Sequence, residues 1–431
     1  MTTTVSQGIT PRLRRARVGV FGIFFVVGFL MAIWLVNIPA IQEQTGVSHA
    51  VLGGLILLLG LGSFIAMQIT GVIIDKLGSR FATMSGVILM IVAVNLPGLA
   101  TDAITLGIAL FVFGLGNGAA DVAMNHQAVV VEREYPRPIM SAFHAFFSFG
   151  GAAGALLGAL AQSIGLDLHW SLLGAAVLGA VLAAFCAPML LSTADERGFE
   201  TQKAAADATE TTTDAAVHAA PAAGKGDESS AVPVSPKPPV NIKRRVFALA
   251  TLAFLLMLSE GVANDWSALQ AVEHLAQPEA AASLAYGAFA IMMTIGRLCA
   301  DRVSHAFGAV NVVRYGSAAA ALGMLLVVVS PLFPLTLVGW ALFGVGMSGI
   351  VPQIFTAAGN LDAATSGVTL SRVVGAGYIG ILAGPAVIGF LGGVIGLTLA
   401  FILPIAFCVL GVFLAPIVSS SKSKGRVSAS V

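Results

Sequence analysis

Asn117, Asp121 and Asn125 recur every fourth residue inside a long apolar run. On an α-helix that spacing places all three on one face. His144 and Ser148 repeat the interval in the next run, and Glu260 and Asn264 in a later one, where Asp265 and Trp266 stand one step around the helix. A carboxylate surrounded by apolar sequence is rare and costly; it lines a polar path, exchanges a proton or holds an ion pair. Glu260 is the first candidate for proton exchange, because Asn264 lies one turn away and can hydrogen-bond either protonation state. Asp121 is the second. The His144 imidazole can relay a proton or serve as an interhelical donor, and the sequence leaves both open. Polar contacts that merely hold helices together would use the same residues.

Further residues carry the marks of a binding surface. Trp34 and Asn37 lie toward the far end of the first apolar run, and Trp266 lies in the outer half of the seventh. Indole rings stack on flat apolar faces such as those of sugars, and they also anchor helices at membrane interfaces. In the tenth run Pro352 and Gln353 occupy the place that Asp121 and its neighbours hold in the fourth. A proline there predicts a local break that exposes backbone carbonyls. The candidate ligand contacts are therefore Trp34, Asn37, Asn117, Asn125, His144, Asn264, Asp265, Trp266 and Gln353.

The elements that must position these side chains follow from composition. Of 431 residues 57% are hydrophobic and 10% charged, against ~25% charged in a soluble domain. The surrounding solvent must be largely lipid, and the fold class is all-α and polytopic. Apolar runs near 18–38, 50–70, 81–99, 104–128, 139–162, 169–190, 246–270, 281–299, 309–330, 333–356, 370–392 and 395–418 are each long enough to cross a hydrocarbon core of ~30 Å as a helix. They define a tail (1–17), six spans (18–190), a Pro- and Ala-rich linker (191–245) expected to be disordered, six more spans (246–418) and a second tail (419–431). The first run is read as a retained span rather than a cleaved leader, since no small-residue cleavage pattern follows it. There is no nucleotide loop, metal-binding spacing or serine elbow, so neither an enzyme nor a cofactor is expected. Basic stripes with interleaved aromatics are missing too, so nucleic acid is not an expected partner. Cys186, Cys299 and Cys408 are far apart and read as bystanders.

Charge placement gives an orientation. With both termini inside, all 22 Lys and Arg fall in inner segments or at the inner ends of helices, while the outer loops carry only acids such as Glu43, Asp102, Asp167, Glu273 and Glu279. Twelve spans satisfy this rule simply. A faint internal repeat accompanies it. Phe113-Gly114-Leu115-Gly116 recurs as Phe343-Gly344-Val345-Gly346, offset 230, and Asp75-Lys76 recurs as Asp301-Arg302, offset 226. Two parallel six-helix halves would produce such offsets.

The sharpest motif is Gly71-Val-Ile-Ile-Asp75-Lys76-Leu-Gly78-Ser-Arg80, read as a two-glycine turn that holds an acid and bases at the inner mouth of two helices. An acid there can meet a helix amino end or a basic partner, making an interaction that breaks when the mouth opens. This segment resembles the signature loop between the second and third helices of the major facilitator superfamily. Arg297-Leu-Cys-Ala-Asp301-Arg302 resembles its degenerate second copy, although Gly308 comes late. Asp121-Val-Ala-Met-Asn125, Ser141-Ala-Phe-His144-Ala-Phe-Phe-Ser148-Phe-Gly150 and Glu260-Gly261-Val-Ala-Asn264-Asp265-Trp266-Ser267 resemble a poorly characterised bacterial inner-membrane branch distantly similar to fucose/proton symporters. The resemblance implies alternating access between two bundles, without ATP, in a bacterial inner membrane, by a protein acting as a monomer. Gly71, Asp75, Lys76, Gly78, Arg80, Arg297, Asp301 and Arg302 would be the gating residues. The expected partners are protons, membrane lipid and a small polar metabolite, a sugar among the candidates. A proton-driven exporter and an uncoupled facilitator fit the same residues. A receptor or scaffold on a transporter fold would need a folded appendage, of which the sequence shows none.

Overall fold

The structure is a computed structural model that describes residues 9–47, 49–199, 201, 242–362 and 365–419. Among the described residues, twelve helices are long and apolar enough to cross a membrane. They are α1 (Pro11–Val36), α2 (His49–Leu77), α3 (Ser79–Ala93, resuming as Leu96–Leu99), α4 (Ala103–Arg133), α5 (Met140–Ser163), α6 (Leu168–Cys186), α7 (Ile242–Leu275), α8 (Glu279–Phe307), α9 (Ala309–Val329), α10 (Phe333–Met347, resuming as Ile350–Gly359), α11 (Ser366–Ile395) and α12 (Leu397–Ala400, resuming as Ile402–Leu414). The break in α10 falls at Ser348 and Gly349. Pro352 lacks the N–H that would have bonded the Ser348 carbonyl, so the helix cannot run through unchanged.

Several helices outlast the apolar runs that announced them. α2 continues through Gly71 and Asp75 to Leu77, so Gly71 is helical and not part of a turn. The turn consists of Gly78 alone, at φ +89°, and its counterpart between α8 and α9 is Gly308 at φ +81°. Both angles lie in the region only glycine enters freely. The two glycines are 230 residues apart, so Gly308 is in register and does not come late.

Packing makes that offset systematic. Gly150 and Gly154 of α5 lie against the Phe25 and Phe29 carbonyls of α1; 230 residues on, Gly380 and Gly384 of α11 lie against the Phe254 and Leu258 carbonyls of α7. Likewise Gly114 of α4 meets Leu59 of α2, and Gly344 of α10 meets Phe289 of α8. Small residues allow such backbone approach where lipid supplies no hydrophobic drive to associate. The pairings α1–α5, α2–α4 and α3–α4 thus reappear as α7–α11, α8–α10 and α9–α10.

The linker's ends are anchored. Residues 193–199, expected to be disordered, are helical, because Ser192 and Asp195 cap one another's backbone and Asp195 binds Arg12 at 2.7 Å. Arg12 also donates to the Met189 and Leu190 carbonyls, and Glu196 accepts from Ser79. Residues 242–245 already belong to α7, with Arg245 bonded to the Ile417 carbonyl. Most of the remaining linker, 202–241, lies outside the described residues. Arg12 holds the Asp195 carboxyl down at about 2. A lowered carboxylate contributes its interaction fully above the unfolded value near ~4 and loses it as pH falls toward the folded one. In Arg12→Gln a nitroxide at Gly198 should gain mobility at pH 7. The difference from the parent should fade between pH 4 and pH 2; equal mobility at pH 7 would show that this anchor is not what orders 193–199.

Candidate functional site

Midway along the spans, polar groups from both halves converge. Arg297 of α8 ion-pairs with Glu260 of α7 at 3.4 Å, their side chains 15% and 13% exposed, and also donates to the Ser148 hydroxyl of α5 at 3.2 Å. The Ser148 hydroxyl in turn donates to the His144 carbonyl at 3.4 Å, one turn back. The His144 ring sits between Phe24 of α1 and Phe355 of α10, with ring centroids at 5.3 and 6.0 Å, and its Nε2 is buried without a hydrogen-bond partner. One chain of contacts therefore runs from α7 through α8 to α5 and crosses between the halves.

A second polar group lies on α4. Asp121 Oδ1 accepts from Asn125 at 3.2 Å, while Oδ2 is buried with no partner. Tyr378 of α11 lies within electrostatic reach of Asn117, Asp121 and Glu260. Asn117 donates to Ser63 of α2 at 3.2 Å. His126, just past Asn125, bonds the Ser366 hydroxyl at the start of α11 at 2.8 Å.

Toward the end that carries the basic loops, the halves are tied together by backbone caps. Asp75 of α2 accepts from Gly367 and Val368 N–H at the start of α11, at 3.0 and 3.3 Å. Asp301 of α8 accepts from Ser141 and Ala142 N–H at the start of α5, at 2.8 and 2.7 Å. The first turn of a helix offers unpaired N–H groups and positive potential, so each carboxylate meets a ready partner. Gly71 lets α2 lie against Gly367 and Ser371 of α11. Arg133 at the end of α4 bonds Asn360 and the Gly359 carbonyl of α10. Lys76 and Arg302 are exposed beside these caps and Arg80 is half-buried.

Several expected roles change. Glu260 is held by Arg297 and not by Asn264, which is exposed. Arg297, grouped from sequence with the mouth, lies deeper than Asp301 and belongs to the central contacts. Gln353 accepts from Ser304 of α8 at 3.0 Å and so joins a contact within its own half. Asn37 donates to the Ile33 carbonyl and finishes α1, and Trp34 is packed in the core. Asp265 is exposed and Trp266 half-buried over Gly389 of α11, its Nε1 without a partner. Tyr378, Glu132, Thr356 and His126 were not singled out from sequence. A lone Tyr inside an apolar run was a usable signal for Tyr378; Glu132 was masked by the charged loop that follows it.

Among the described residues, twelve apolar helices in two like-patterned halves, with buried ionisable groups between them, give the architecture of a polytopic membrane protein. The family model for the Major Facilitator Superfamily matches residues 20–358, and the chain belongs to that superfamily. An uncharacterised MFS-type transporter of Yersinia pestis is 32% identical over 399 residues, covering 92% of both chains. The transporter FucP in its outward conformation has the same fold, with a TM-score of 0.71 at 15% identity and coverage of 94% of this chain and 98% of that one. The human organic anion transporter MFSD10 aligns with a TM-score of 0.70 at 15% identity, over 94% and 100% of the two chains.

Proposed function

We propose that this chain moves a small polar metabolite across a bacterial inner membrane by alternating access, with a proton as the coupling ion, and that a sugar-like polyol is the first substrate class to try. The observation that carries this reading is the central set of ionisable groups shared between the halves: Glu260 with Arg297 and Ser148, and Asp121 with an unpartnered oxygen. A buried carboxylate without a partner calls for a proton, a cation or a ligand donor. His144, Asn125, Tyr378 and Trp266 would supply ligand contacts around it. The solved neighbour FucP of E. coli is a fucose:proton symporter by name, which agrees with the reading, although at this identity the likeness speaks for fold alone. The two halves are taken as the domains 18–190 and 246–418.

The test uses proteoliposomes whose orientation is read from an impermeant thiol reagent on a cysteine at Ser230, in the linker outside the described residues. A thermal-shift screen of sugars, polyols, nucleosides and amino acids selects the ligand. Accumulation should follow an imposed pH gradient and vanish without one. Labelling of the same cysteine in intact cells would overturn the inward placement of the linker and termini. The Glu260–Arg297 pair also suits an uncoupled facilitator in which it only joins helices. That reading predicts equilibration at every pH and no accumulation.

A further inference from the structure

The amino end of α5 carries more than the Asp301 cap. Glu132, at the basic end of α4, is buried there with both carboxylate oxygens committed. Oε2 accepts from the Ile139 and Met140 N–H groups at 2.8 and 2.6 Å, and Oε1 accepts from the Thr356 hydroxyl of α10 at 2.6 Å. Four successive N–H groups, 139 to 142, are thus shared between two carboxylates, one from each half. The charges of Glu132 and Asp301 act on one another. The charged groups nearby are Arg137, which acts on Asp301, and Arg133, committed to Gly359 and Asn360.

Two opposing effects meet at Glu132. Its bond to Thr356 ties α4 to α10 across the halves, and a hydrogen bond to an ionised group is among the stronger kind. Its charge beside Asp301 works the other way, since like charges brought together on one helix end repel. When the halves part, Asp301 and Thr356 leave with theirs, and Glu132 remains on α5. We propose that Glu132 is a gating residue whose charge keeps the Asp301 cap weak enough to release while its hydroxyl partner Thr356 holds the closed form together. This inference rests on the alternating-access reading above.

The two effects separate by substitution. Glu132→Gln removes the repulsion but also the charge on the Thr356 bond, so the repulsion alone is read by adding it to Thr356→Val, where that bond is already gone. Thr356→Val removes the tie and leaves the α5 cap in place. Nitroxide pairs at Arg197, in the linker helix that Arg12 anchors to the amino-terminal half, and at His305 of the other half, both exposed, in a protein with its three cysteines replaced, report the closed-to-open ratio by electron–electron resonance. Added to T356V, E132Q should raise that ratio roughly threefold, the scale of one partly screened charge pair. T356V should lower it about tenfold, the scale of a lost charge-assisted hydrogen bond. A ratio that E132Q leaves unchanged or lowers when added to T356V would end the repulsion half of the inference. A parental ratio in T356V, with no change on adding E132Q and with D301N still shifting, would end all of it. If D301N fails to shift as well, the alternating-access reading itself is at fault. Should E132Q lower thermal stability, T356V still decides whether the tie across the halves exists.

Discussion

Glu260→Gln abolishes accumulation driven by a pH gradient and leaves exchange at equal pH running: this is the largest effect expected of any single substitution here. Gln keeps the shape and hydrogen-bonding of Glu but cannot titrate, so a step that needs proton release from residue 260 is lost. The change also strands Arg297. Breaking a buried ion pair by removing one partner costs ~3–5 kcal/mol, because the remaining charge stays desolvated, and here Ser148 compensates only in part. E260Q should therefore melt at a lower temperature than the parent. The double variant E260Q/R297Q should recover much of that stability without recovering accumulation, a pattern that separates coupling from folding. Asp121→Asn is the companion test, with Asp121 as the alternative coupling site. Full gradient-driven accumulation in both E260Q and D121N would falsify proton coupling through these carboxylates and leave the facilitator reading.

The second large effect is at the basic end. Asp301→Asn should shift the molecule toward the form open at that end by about tenfold, the loss expected when a hydrogen-bonded charge becomes neutral. Asp75→Asn should shift it less, since the Asp75 bonds of 3.0 and 3.3 Å are longer than the 2.8 and 2.7 Å bonds of Asp301 and shorter charge-assisted bonds are stronger. Val129 of α4 packs against Gly359 of α10, so a cysteine at 129 is covered while this end is closed. Its alkylation by N-ethylmaleimide should accelerate in D75N, more in D301N and most in the pair. Equal rates in all four proteins would mean that these caps do not control the opening.

Span number, the like-patterned halves and the membrane class were legible in the sequence because lipid imposes one requirement on every residue of a span, and composition records it directly. Asp121, His144 and Glu260 were legible for the same reason, as departures from that requirement. Their partners were not. Whether Glu260 meets Asn264 on its own helix or Arg297 on the next depends on how α7 and α8 are rotated, and helical spacing along one chain says nothing about that. Gln353 shows the converse failure: by the offset of 230 it matches Ala123, off the face of the α4 stripe, and it turns to Ser304. The mouth motif was half legible. Its acid found a helix amino end as its chemistry allows, but the glycine at 71 marks close approach of α11 and not a turn.

The offset of 230 that governs glycines across the chain does not govern the two caps. Counted by that register, Asp301 matches Gly71, one helical turn farther from the basic end than Asp75, and its donor N–H groups at 141 and 142 are displaced by the same turn relative to 367 and 368. Both partners are displaced together, so each carboxylate still meets the first turn of its helix. The two ties therefore stand at depths that differ by about 5.4 Å, the pitch of an α-helix. If the halves rock about a fulcrum near the mid-membrane cluster, a contact moves in proportion to its lever arm. The α2–α11 tie has the longer arm and is stretched more by any small rotation, while the α5–α8 tie, nearer the pivot, is stretched less. Parting then starts as a wedge on the α2–α11 flank, and the first water to enter comes from that side, so a near-symmetric scaffold acquires a preferred side of entry.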